Sequence, residues 1–123
     1  MNGIGKMIVD EFTAPRKFVI GAKNDIVVKH TANIKLDDNE QVTFITGDGS
    51  EFDVMKKKWG YYASPSLNKR LISFGFKSAL VQNKAGQVYL MIVHEDKITD
   101  FNDYCKKEDQ KVLMWVSSIM CHD

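Results

Sequence analysis

Residues 76–94 read FKSALVQNKAGQVYLMIVH, and the class of the chain turns on how this stretch folds. FKSALVQ and VYLMIVH each read as a strand, and NKAG between them has the length and the glycine of a hairpin loop. A hairpin makes the two strands antiparallel neighbours, whereas a parallel pair needs a crossover of a dozen or more residues. Val88 to Val93 is apolar at every position, the pattern of a strand covered on both faces, which predicts a central place for it.

Working outward, Asp25 to Leu36 alternates. Ile26, Val28, His30, Ala32, Ile34 and Leu36 face one way, and Lys29, Thr31, Asn33 and Lys35 the other, as in a half-buried strand. His30 on the apolar side predicts a hydrogen-bonded core histidine. DDNE, QVTFIT, GDGS and EFDVM follow as turn, strand, turn and strand, so that Asp25 to Met55 reads as an antiparallel meander. Beyond the hairpin, DKITDFNDYCKKED sets Ile98, Phe101, Tyr104 and Cys105 on one stripe of a helix with an acidic first turn, and KVLMWV reads as a last strand. SPSLNKRLISFG reads as another helix, with Ser64 as its cap, Pro65 at its first position and Gly75 just past its end. The expected fold is a single α+β domain over 1–123, built on one mainly antiparallel sheet of five or six strands with two helices. The first 24 residues and the tail from 117 have weak periodicity and are left open.

Composition narrows the class. At 123 residues with 44% hydrophobic and 27% charged side chains and two prolines, the chain has the make-up of a folded domain with one core. No run approaches the roughly 18 apolar residues of a membrane span. MNGIGKMIVDEF runs into Asp10 and Glu11 without a small-residue cleavage site, so no signal peptide is expected and the location expected is cytoplasmic. Cys105 and Cys121 then read as reduced thiols.

Charge is unevenly spread. Residues 1–50 hold six basic and seven acidic side chains, 51–84 hold seven and two, and 85–123 hold four and seven. A local excess of +5 in a chain of net +1 does not suit nucleic acid, which needs a domain-wide basic surplus, but it suits a discrete anion. Trp59, Tyr61 and Tyr62 stand within this segment, where aromatic faces can stack on sugars or bases. Asn68 and Arg70 flank the apolar stripe of the expected helix and Lys69 points away from it, while the first turn, with Ser64, would offer backbone N–H groups to an anion. The candidate ligand-binding residues are therefore Trp59, Tyr61, Tyr62, Ser64, Asn68, Lys69 and Arg70. The opposing architectural reading makes the aromatics core residues and KKK a solvated sheet edge.

No metal, cofactor or catalytic motif emerges. His30, His94 and His122 show no i, i+4 pair, and there is no Cys-x-x-Cys. GIG lacks a preceding strand and a third glycine, and DDNE and GDG lack the spacing of a calcium loop. A nucleophile would have to be Cys105 or Ser64 beside a histidine brought near by the fold.

From Leu36 to Val93, and chiefly in WGYYASPSLNKRL followed by FGFKSALV, the chain resembles short uncharacterised proteins found among bacterial surface-polysaccharide genes, the O-antigen and capsule loci. The resemblance implies a cytoplasmic protein working near nucleotide-sugar chemistry and carries over no site residues. Three expectations follow. The first is a non-catalytic accessory protein binding an anionic sugar, a nucleotide sugar or a partner enzyme. The second is a small enzyme modifying a nucleotide sugar, and the third a homo-oligomer joined through a sheet edge or the MWVSSIM tail.

Overall fold

A computed structural model describes residues 7–118. Within them the order is β1 (Ile8–Ile20), β2 (Ile26–Lys35), β3 (Gln41–Ile45), β4 (Glu51–Lys57), β5 (Gly60–Ala63), α1 (Arg70–Ser73), β6 (Phe76–Gln82), β7 (Val88–His94), α2 (Ile98–Lys107) and β8 (Lys111–Trp115). The chain is α+β, and β1 with β2, β4 with β5, and β6 with β7 and β8 pair antiparallel, but the single sheet expected from the sequence is wrong. The strands form three small sheets, β1-β2, β3-β4-β5 and β7-β6-β8. The meander breaks at its first step, because β2 pairs with β1 and not with β3. The stretch before residue 25 hid β1 because Pro15 cannot donate to a ladder and the register shifts between Glu11 and Arg16, which interrupts the two-residue period. No helix among the described residues is long and apolar enough to cross a membrane.

The described chain divides into two compact units. One takes residues up to Phe44 with Asp53–Ser64, the other Ile45–Phe52 with the residues from Pro65 onward. In the second unit β6 is the middle strand, paired with β7 from Phe76↔His94 to Gln82↔Val88 and with β8 from Ala79↔Trp115 to Gln82↔Lys111. This corrects the place given to Val88–Val93. That run is an edge strand whose Val88, Tyr89 and Leu90 are exposed, while the more polar β6 is the buried one. A strand with partners on both sides is enclosed whatever its polar content, and here Lys77 accommodates by laying its ammonium 5.6 Å from the centre of the Trp115 ring.

The hydrophobic core is built on this sheet. Ala79, Val81 and Val93 pack with Phe101 and Cys105 of α2, and Met91, Ile98, Tyr104, Val112 and Trp115 surround them. The helical spacing of Ile98, Phe101, Tyr104 and Cys105 puts them on one stripe, and Asp100 near the start with Lys106 and Lys107 at the end complements the helix dipole. Phe101 meets Trp115 edge-on, with ring centres 5.6 Å apart. Cys105 belongs to this core, and burial pushes its thiol up. Cys121 and His122 lie outside the described residues. Residues 7–64, by contrast, contain no buried side chain.

α1 is a single turn, not the helix expected from Ser64 onward. Ser64 directly follows the preceding strand, its N–H donating to the Asp53 carbonyl at 3.1 Å. Ser66 starts the turn instead: its Oγ accepts the Arg70 N–H at 2.8 Å and its carbonyl accepts the Leu71 N–H at 2.9 Å. Gly75 follows α1 at φ +87°, a left-handed conformation, and a Cβ there would meet only Ser50 Oγ at an ordinary 3.8 Å. The cost of Gly75→Ala is therefore one of backbone conformation, about 1–2 kcal/mol. Urea unfolding of the variant should show that loss; an unchanged midpoint would mean the turn adopts another conformation.

Candidate functional site

The β4–β5 hairpin carries the aromatic part of the site. Val54↔Ala63, Met55↔Tyr62, Lys56↔Tyr61 and Lys57↔Gly60 set its register, so the connection is the two residues Lys58 and Trp59. Gly60, at φ +144°, lets so short a turn close. Because directly opposed residues share a face, Lys56 and Tyr61 lie on one side and Met55 and Tyr62 on the other. Trp59 is 74% exposed, Tyr61 68% and Tyr62 46%, so these rings are surface and not core.

The neighbouring cations are held in place. Lys56 Nζ lies 3.3 Å from Asp38 Oδ1 and donates to the Lys57 carbonyl at 2.6 Å, and Lys57 Nζ donates to Asn39 Oδ1 at 2.9 Å. The turn supplying these acceptors is locked to the hairpin, since the Asn39 N–H donates to the Lys56 carbonyl at 2.8 Å and the Lys56 N–H to the Glu40 carbonyl at 2.9 Å. Asn39 sits at φ 66°, which asparagine tolerates better than most residues. Lys58 stands exposed at the tip. A rigid ammonium close to exposed rings can hold an anion while a ring stacks on the group bearing it.

The remaining expected residues stand apart from this hairpin in the chain's organisation. Ser64 directly follows β5 and is half-buried, whereas Asn68, Lys69 and Arg70 belong to the second unit. Lys69 and Arg70 are exposed around α1, and the Arg70 guanidinium lies 5.8 Å from the centre of the Phe74 ring. A four-residue helix has too little dipole to make the anion site expected at its N-terminus.

A second group was invisible in the sequence. A hollow of about 330 Å³ in the second unit is lined by Asp48, Ser50, Gly75, His94, Glu95 and Asp96. His94 Nδ1 lies 3.8 Å from both Asp48 Oδ2 and Asp96 Oδ1, and the imidazole packs against Phe76 with ring centres 4.6 Å apart. Asp48 and His94 are far apart in the chain, in segments read only as a turn and a strand end, so no local motif announces them. The lining carries three carboxylates and would repel an anionic ligand. Among the described residues no three His, Cys, Asp or Glu side chains gather as a metal ion would require.

Asp48 gives this region a pH signature. Its carboxylate accepts the Thr46 hydroxyl at 2.5 Å and the Ser50 N–H at 3.1 Å, and these bonds, Thr46 first, hold its pKa at about 2 against an ordinary 3.8. A pKa lower in the folded state favours the ionised, folded form above pH 3.8, and that contribution is lost as pH falls through about 2. Carboxyl NMR should find a midpoint near 2 for Asp48, moving toward 3.8 in Thr46→Val. The same midpoint in both proteins would show that the hydroxyl bond does not set it.

No protein-family model, curated protein or solved structure matches the chain.

Proposed function

We propose that this protein is a small non-catalytic binding module that takes an anionic sugar or nucleotide sugar on the β4–β5 hairpin, and that it serves surface-polysaccharide synthesis in the cytoplasm. The observation that carries the proposal is the exposure of Trp59 and Tyr61 beside anchored lysines. Burying an aromatic ring is strongly favourable, so rings displayed on a fixed hairpin next to ammonium groups suit a ligand with both a flat face and a negative charge. The polysaccharide context rests on the resemblance over Leu36 to Val93. Ligand-observed NMR and thermal shift against nucleotide sugars, free nucleotides and acidic sugars test the reading. A hit weakened by salt is expected, and a blank across the panel would overturn it.

The hollow favours a second reading. An enzyme acting on the same substrates would have to keep their anionic group outside the three carboxylates of the hollow and admit only an uncharged part, with His94, flanked by Asp48 and Asp96, as its acid–base group, because burial in the core leaves Cys105 a poor nucleophile. Turnover of the nucleotide-sugar panel that disappears in His94→Ala would establish that reading; an inert panel would end it.

A further inference from the structure

The register of β1 and β2 sorts their residues into two faces. Val9↔Ile34, Glu11↔Ala32, Arg16↔His30, Phe18↔Val28 and Ile20↔Ile26 lie on one, whereas Ile8↔Lys35, Asp10↔Asn33, Lys17↔Lys29 and Val19↔Val27 lie on the other. The first face is apolar at both ends and charged only in the middle. Phe12 also belongs to it, its ring meeting His30 edge-on with centres 5.0 Å apart.

This face is only partly covered: Ile26, Val28 and Ala32 of β2 are half-buried, but most of the β1 side and the Ile34 end are exposed. Val9 is 50% exposed, Phe18 41%, Ile20 42% and Ile34 41%. Among the described residues the sheet has only these two strands, and residues 7–64 contain no buried side chain. A lone two-stranded ribbon is marginal in water, because ordering its backbone costs more than a half-exposed apolar face returns.

The distribution of charge identifies the occupant. Glu11 and Arg16 flank the register shift at the centre of the face, with Val9 and Ile34 at one end and Phe18, Val28, Ile20 and Ile26 at the other. A two-fold axis lying in the face and crossing the strands between Glu11 and Arg16 would bring each Glu11 onto the Arg16 of a second copy. The same operation lays each Val9–Ile34 end on a Phe18–Val28 end. The face is thus complementary to itself, as an isologous contact requires. Arg16 is already oriented: its Nη2 lies 3.3 Å from His30 Nδ1 and its guanidinium 5.9 Å from the centre of the Phe18 ring.

We infer that the chain forms a two-fold homodimer in which the Val9–Phe18–Ile34 faces of two β1–β2 ribbons stack, with Glu11 of each copy paired to Arg16 of the other. Sedimentation equilibrium of the full chain over a wide concentration range is the test. A monomer–dimer equilibrium is expected for the native protein. Glu11→Arg should weaken it by about tenfold or more through like-charge contact, and Glu11→Arg combined with Arg16→Glu should restore it. Both substitutions are at exposed positions, and far-UV circular dichroism shows whether the ribbon persists. A monomer at every concentration would overturn the inference. So would a dimer indifferent to Glu11→Arg, which would place the contact elsewhere, or open-ended association, which is not two-fold.

Discussion

Phe101→Ala is expected to destabilise the unit built on β6, β7, β8 and α2 by about 3–5 kcal/mol. Phe101 is the large side chain by which α2 reaches Ala79, Val81 and Val93, and it also supports the Trp115 ring. Removing it leaves a cavity between helix and sheet that neither can close, because β6 is held by partners on both sides. A loss of this size is a large fraction of a domain's stability. Phe101→Leu keeps most of the volume and should cost under about 1.5 kcal/mol. Urea unfolding followed by tryptophan emission measures both, since Trp115 loses its edge contact in the alanine variant. A loss below about 1 kcal/mol for Phe101→Ala would mean that α2 is not the lid of this core.

Trp59→Ala and Tyr61→Ala should act in the opposite way, with a large effect on binding and a small one on stability. Stacking of one ring on a base contributes about 1–3 kcal/mol, so either variant should weaken a bound nucleotide sugar roughly tenfold to a hundredfold. Both rings are mostly exposed, so the unfolding free energy should stay within about 0.5 kcal/mol of the native value. Lys58→Ala should mainly reduce the salt dependence of binding, because it removes a charge at the tip without disturbing the contacts of Lys56 and Lys57 to the Asp38–Asn39 turn. Large losses of stability in the ring variants would show that the rings are structural and return the hairpin to architecture.

What the sequence made legible follows the range of the forces involved. The alternation of β2, the NKAG hairpin and the apolar stripe of α2 depend on neighbours in the chain, and each appears in its expected place. The number of sheets does not depend on neighbours. Which strand β2 pairs with is decided by β1, whose period Pro15 and the register shift near it conceal. The same limit explains β7, whose unbroken apolar run looks central although β6, with Lys77, Ser78 and Gln82, occupies the middle. At α1, two serines two residues apart both suit a helix start, and the structure uses Ser66. Trp59, Tyr61 and Tyr62 were legible as candidates but not as surface, because a strand of four residues is too short for alternation to assign a face. The His94 hollow brings together segments distant in sequence, and nothing local marks it.

Trp59 and Trp115 are the two tryptophans of the chain, which makes the binding claim directly measurable. In Trp115→Phe, Trp59 becomes the sole indole, and its emission can be followed while uridine and guanosine diphosphate sugars are added at low and high salt. Saturable quenching that weakens as salt rises is expected, because ring and ammonium groups act on one ligand. Emission unchanged by every ligand, in a protein shown to be folded, would contradict it.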